Sequence, residues 1–131
     1  MTLLGRFQVL PLQAQIDIRD PGGSDYPQWE TGEERAIATA QCIAVATQGD
    51  MDGRVAVEVR LGPSAVPSGA TVAFDGEVLL SGEELVVGNY LGGEEHRLPL
   101  GPGWHHVTVY TQPSAAPAVE VIVVLHAEPP S

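Results

Sequence analysis

Lysine is absent from this chain. All six basic residues are arginines, set against 17 acidic ones, and the formal net charge is −11. Such a charge repels nucleic-acid phosphates and anionic lipid headgroups, so direct binding to nucleic acid or to a membrane is disfavoured. It attracts a basic protein and speeds encounter with one, but it also keeps a chain soluble, and composition does not separate these roles. Cysteine occurs once, as Cys42, which excludes an internal disulfide. Beside Ile43 and Val45, that thiol reads as a small buried hydrophobe rather than a reactive group. Long apolar runs are missing too. The longest, in residues 119–125, is interrupted by Glu120 and is far too short to cross a bilayer, and residues 1–10 lack the basic and apolar regions of a leader. A cytoplasmic setting is the expectation.

What the chain does contain is material for strands and turns. Its 131 residues match one domain, expected to span the whole of 1–131 with a frayed tail at 127–131, and a 44% hydrophobic content rules out disorder. The apolar set is Val, Leu, Ala and Ile with few aromatics, and Gly (15) and Pro (11) are abundant. Residues 54–61 alternate most cleanly. Val55, Val57, Val59 and Leu61 point one way and Ala56, Glu58 and Arg60 the other, the period of a half-buried strand. Further short strands are predicted over 3–10, 12–18, 42–47, 71–74, 77–80, 83–87, 95–100, 104–111 and 119–125. Asp52-Gly53 fits a hairpin, and Asp75-Gly76 and Ser81-Gly82 fit tight turns. Residues 19–32 form a long loop, and 33–41 has the composition for one or two helical turns. About nine strands with turns at this spacing predict an all-β fold, a two-sheet antiparallel β-sandwich of jelly-roll or Greek-key type. Ile122 and Val124 make the last strand apolar on both faces, which fits a central strand covered twice or a homodimer interface.

Signs of catalysis are missing. The serines lie in turns, loops or the tail, and none sits in Gly-x-Ser-x-Gly. His105 and His106 are strand neighbours facing opposite ways, no His-x-His or His-x-x-x-His spacing occurs, and no metal or other cofactor is expected. Asp50-Met51-Asp52-Gly53 lacks the later ligands of a calcium loop. The chain therefore reads as a binding protein rather than an enzyme.

The acids are not evenly spread. Asp17, Asp20, Asp25, Glu30, Glu33 and Glu34 fall in the first loop region, and Asp75, Glu77, Glu83, Glu84, Glu94 and Glu95 in the central strands. The first group also holds Tyr26 and Trp29. Carboxylates around exposed aromatics suit contact with a basic protein, so Asp20, Asp25, Tyr26, Trp29, Glu30, Glu33 and Glu34 are the candidate partner-binding residues. Equally, Trp29 can plug one end of the sandwich while the acids are merely solvated. A sugar or small ligand stacking on Tyr26, Trp29, Tyr90, Trp104 or Tyr110 is the alternative binding reading.

Ile16-Asp17-Ile18, then Trp29 with Glu33 and Ile37, Ile43-Ala44-Val45 and the strand at 55–61 resemble the competence protein J family, whose founding member inhibits the DNA-entry nuclease. Val72 and Phe74, residues 85–87, Arg97-Leu98-Pro99-Leu100-Gly101-Pro102-Gly103 and the strands at 107–111 and 121–124 extend the resemblance. It implies a small acidic protein that binds and blocks a nuclease. It transfers no inhibitory residue, and the abundance of Gly and Pro and the absence of Lys depart from the family.

Overall fold

The computed structural model describes residues 2–11, 13–23, 25–62, 65–89, 94–113 and 117–126. Among them, ten strands build two five-stranded sheets. The first sheet runs in the order β1 (Thr2–Val9), β5 (Val55–Leu61), β10 (Glu120–Leu125), β9 (Gly103–Gln112), β6 (Thr71–Leu80). The second runs β3 (Ala36–Ala38), β4 (Cys42–Ala46), β2 (Gln15–Arg19), β7 (Glu84–Gly88), β8 (Glu95–Pro99). Every pairing is antiparallel except β5 with β10. The two sheets form the predicted β-sandwich.

Alternation fills the space between them. Ile16 and Ile18, Ile43 and Val45, Val55, Val57 and Val59, Leu85 and Val87, Val107 and Val109, and Val121, Val123 and Leu125 all turn inward into one core cluster. Each such side chain contributes about 1.5–3 kcal/mol when removed from water. Compact aliphatic residues suffice here, which accounts for the scarcity of aromatics. Both phenylalanines lie on the edge strands of the first sheet, folded over a glycine two residues away. A Cβ at Gly76 would stand 2.7 Å from the Phe74 ring, and one at Gly5 would stand 3.2 Å from the Phe7 ring.

Two connections determine what each sheet shows to the outside. β2 and β3 are both antiparallel to β4 and hence parallel to each other; β5 and β6 are likewise parallel across β10 and β9. Parallel strands cannot be joined by a hairpin, so the chain must cross a face of its own sheet. The inner faces are filled by the core, so both crossovers pass outside. Residues 20–23 and 25–35 return over the second sheet, and residues 65–70 run over the first, where Arg60 Nη1 donates to Ala65 O (2.8 Å) and Gly69 lies against Gln112. The outward-facing Cys42, Ala44 and Asp17 of the second sheet are consequently buried, as are Ile122 and Val124 of the first. The second apolar face of β10 is thus covered within the chain, in a strand at the centre of its sheet.

Three local expectations are corrected. Residues 33–41 hold no helix: Ala36, Ile37 and Ala38 pair with Val45, Ala44 and Ile43 as an edge strand, and pairing outweighs a weak helical preference. Asp52-Gly53 does not close a hairpin, because β4 and β5 belong to different sheets. Asp75-Gly76 is not a turn either; β6 runs straight through it, with Asp75 opposite Thr108 and Gly76 opposite Val107. The tail at 127–131 lies outside the described residues.

Candidate partner-binding surface

The crossover at 20–35 is held by a short series of polar contacts. Asp20 is only 1% exposed. Its carboxylate accepts from Ser81 Oγ (2.7 Å), Ser81 N (3.1 Å), Gln41 Nε2 (3.1 Å) and Gly22 N (3.3 Å). The Asp-Pro-Gly-Gly composition signals an exposed turn, but Asp20 faces inward and ties the crossover to the β6–β7 connection. It stands apart from the exposed carboxylates of the expected set.

Further along, Thr39 Oγ1 donates to Asp25 O (2.7 Å), and Trp29 Nε1 donates to Gln15 Oε1 (2.8 Å). Gln15 Nε2 in turn donates to Asp17 Oδ1 (2.9 Å). Trp29 is therefore a half-buried cover on the outside of the second sheet, near Gln13, Ala14, Ala46 and Thr47, rather than an end plug. Beneath it, burial raises the Asp17 carboxyl above its ordinary value, and Asp17 Oδ2 has no hydrogen-bond partner among the described residues.

Glu34 organises the tip. Its carboxylate accepts from the Thr31 hydroxyl and from the backbone N–H groups of Glu30 (2.9 Å), Thr31 (3.0 Å) and Glu33 (3.2 Å). These bonds, led by the Thr31 hydroxyl, hold Glu34 down at about 2, so it remains ionised. Glu34 and Glu30 line a groove of about 380 Å³ with Tyr26, Pro27, Gln28, Ile37, Ala38 and Thr39. Tyr26 is 44% exposed, and Asp25, Glu30 and Glu33 are exposed beside it.

Arginine neutralises much of the second acidic stretch. There, Glu94 pairs with Arg54 (2.7 Å), Glu95 with Arg19 (2.6 Å) and Glu84 with Arg97 (3.4 Å), while Asp75 meets His106 (2.7 Å). Glu58 in β5 takes both Arg6 (2.7 Å) and Arg60 (2.5 Å). None of these ion pairs involves Asp25, Glu30, Glu33 or Glu34. Exposed carboxylates thus gather on the first stretch, around Tyr26 and next to edge strand β3.

The backbone superposes on the crystal structure of ComJ from Bacillus subtilis, the inhibitor of the DNA degrading activity of NucA. The match covers 97% of this chain and 98% of that one, with a TM-score of 0.74 and 12% sequence identity. The fold is the ComJ fold. The family resemblance carried by the strand pattern is thus confirmed in the architecture. No protein-family model matches the chain, and no curated protein sequence does. At this identity the likeness places the fold and no individual residue.

The aromatics do not converge on one ligand platform. Tyr26 and Trp29 belong to the outer side of the second sheet, Trp104 and Tyr110 to β9 of the first, and Tyr90 lies outside the described residues. Cys42 is buried, and desolvation followed by the charge of Asp17 pushes its thiol up to about 12. One cluster escaped the reading of the sequence: His106 and His126 meet Asp75 on the outer face of the first sheet. Only the registers of β6, β9 and β10 reveal it. Among the described residues, no helix is long and apolar enough to cross a membrane.

Proposed function

We propose that this chain is a binding protein that blocks a basic nuclease, docking through the loop at 25–34. Asp25, Glu30 and Glu33 serve as phosphate mimics for arginines and lysines lining the nuclease's DNA-binding cleft. Tyr26 gives the contact an aromatic anchor beside the groove. Glu34 acts from behind, holding the Glu30, Thr31 and Glu33 amides and fixing the loop's shape. The observation that carries this reading is the gathering of exposed Asp25, Glu30 and Glu33 on one loop around Tyr26 and its groove, in a chain whose other acidic stretch is largely ion-paired. The shared ComJ architecture supports the class of partner. Trp29 supports the loop through Gln15, and Asp20 anchors it. The reading includes a cytoplasmic setting and no catalytic role.

The test is titration of the chain into a DNA-degradation assay with a purified NucA-type nuclease. Inhibition should weaken as salt rises from about 50 to about 300 mM, since exposed charges are screened over roughly 6–14 Å in that range. The variant D25N/E30Q/E33Q keeps Glu34 and hence the loop. Three exposed pairs at about 0.5 kcal/mol each correspond to roughly tenfold weaker inhibition at low salt. Absence of inhibition at low salt refutes the function. Inhibition indifferent to both salt and the triple substitution refutes the surface.

A further inference from the structure

The cluster on the outer face of the first sheet has the donors of a metal centre. Three adjacent strands deliver it. Asp75 lies on β6 opposite Thr108 of β9, His106 lies two residues before Thr108 on the same face, and His126 directly follows β10. The His126 N–H bonds to His106 O (3.0 Å), which extends the β9–β10 ladder by one residue and sets the two histidines side by side. Their rings stack with centroids 4.1 Å apart and planes 20° from parallel.

The polar atoms converge. His106 Nε2 lies 2.7 Å from Asp75 Oδ1, Thr108 Oγ1 donates to the same oxygen (3.0 Å), and His126 Nε2 lies 2.8 Å from Thr108 Oγ1. One ligand atom from each of Asp75, His106 and His126 falls within 4.8 Å of the others. A tetrahedral ion with bonds near 2.0–2.1 Å separates its ligand atoms by about 3.3 Å, so side-chain movements of roughly 1 Å, with one imidazole turned out of the stack so that both lone pairs face the ion, complete the site. The side chains of His106 and Asp75 are 49% and 59% exposed and have room for them.

We propose that Asp75, His106 and His126 bind one divalent transition-metal ion of the zinc class. Two imidazole nitrogens and one carboxylate oxygen favour zinc, cobalt, nickel or copper over magnesium or calcium, which prefer all-oxygen shells. Thr108 is 7% exposed and stands behind the ligands, where its hydroxyl orients the Asp75 carboxylate. Three protein ligands leave a tetrahedral ion one position for water. The site is on the sheet opposite the acidic loop, so it stands or falls separately from the nuclease reading.

The experiment is calorimetric titration of Zn2+ into the chelator-treated full chain, with Co2+ absorption as a second readout. The expected result is one ion per chain with a dissociation constant of order 1–10 μM, a band of tetrahedral or five-coordinate intensity with Co2+, and at least tenfold weaker binding in H106A and in H126A. H105Q should bind as the parent does, since that ring turns to Gly101 O (2.9 Å). A parent dissociation constant above about 1 mM, or His variants that bind as tightly as the parent, overturns the proposal. Should a variant fail to fold, the Co2+ spectrum of the intact chain decides, and a spectrum of hydrated Co2+ overturns it.

Discussion

Replacing Asp20 with Ala removes an acceptor that meets two backbone N–H groups, one hydroxyl and one side-chain amide, at a position 1% exposed. Hydrogen bonds to a charged group are worth about 1.5–3 kcal/mol each, but the exposed Ser81 can regain part of its bonding from water. Counting the Ser81 and Gln41 donors and discounting for that recovery gives a loss of about 2–4 kcal/mol. For a chain of this length the unfolding entropy is about 0.28 kcal/mol per degree, so Tm should fall by about 7–14 °C. D20N retains one acceptor oxygen but opposes an amide to a donor, and should lose about half as much. Thermal and urea unfolding followed by circular dichroism measure both variants. Because the carboxylate holds the crossover and cannot reach a partner, any loss of inhibition should accompany the loss of stability rather than occur without it. A Tm for D20A within 2 °C of the parent, or a selective loss of inhibition without loss of stability, would refute the assignment.

Three further outcomes are expected. G88A should cost about 3 kcal/mol or more in urea unfolding, because the new Cβ would stand 2.1 Å from Glu94 O and 3.0 Å from Glu95 Cα, both backbone atoms; a loss under about 1 kcal/mol would contradict the packing. Burial raises Asp17 in the folded state, so its contribution falls as pH rises from the unfolded value of 3.8 through the higher folded value. D17N should therefore gain on the parent between pH 4 and pH 8, and an equal loss at both pH values would count against it. Glu34 has the opposite sign: its contribution is present above the unfolded value of 4.5 and is lost as pH falls towards about 2. The amide resonances of Glu30, Thr31 and Glu33 should titrate together near pH 2, and a midpoint near 4.5 would show that the carboxylate does not hold them.

Local rules read the strands well and their partners poorly. The period-two pattern of Val55, Val57 and Val59 is a property of one strand, and it survives as β5 facing the core. Which sheet the next strand joins depends on closing the core, so turn-forming pairs such as Asp52-Gly53 cannot distinguish a hairpin from a passage between sheets. Asp20 shows the same limit: its acceptors' partners include Ser81, 61 residues away. Charge follows suit, since composition fixes the excess but not the pairing of Arg19 with Glu95, 76 residues on. His106 and His126 could be found from sequence only by aligning β9 with β10. The ionised tip at Glu34 was within reach, because Thr31 precedes it by the three residues of a capping box.

The outer crossover of the second sheet makes Cys42 a built-in reporter. The thiol faces outward from β4 yet is sealed under the returning chain, and its reactivity requires that cover to lift. Its labelling rate therefore counts the openings of that cover. A partner docked on Asp25, Glu30 and Glu33 would press the cover down and slow the reaction, whereas an occupant elsewhere would leave it unchanged. A single native cysteine can thus time the binding event from underneath, without any probe being added to the contact surface.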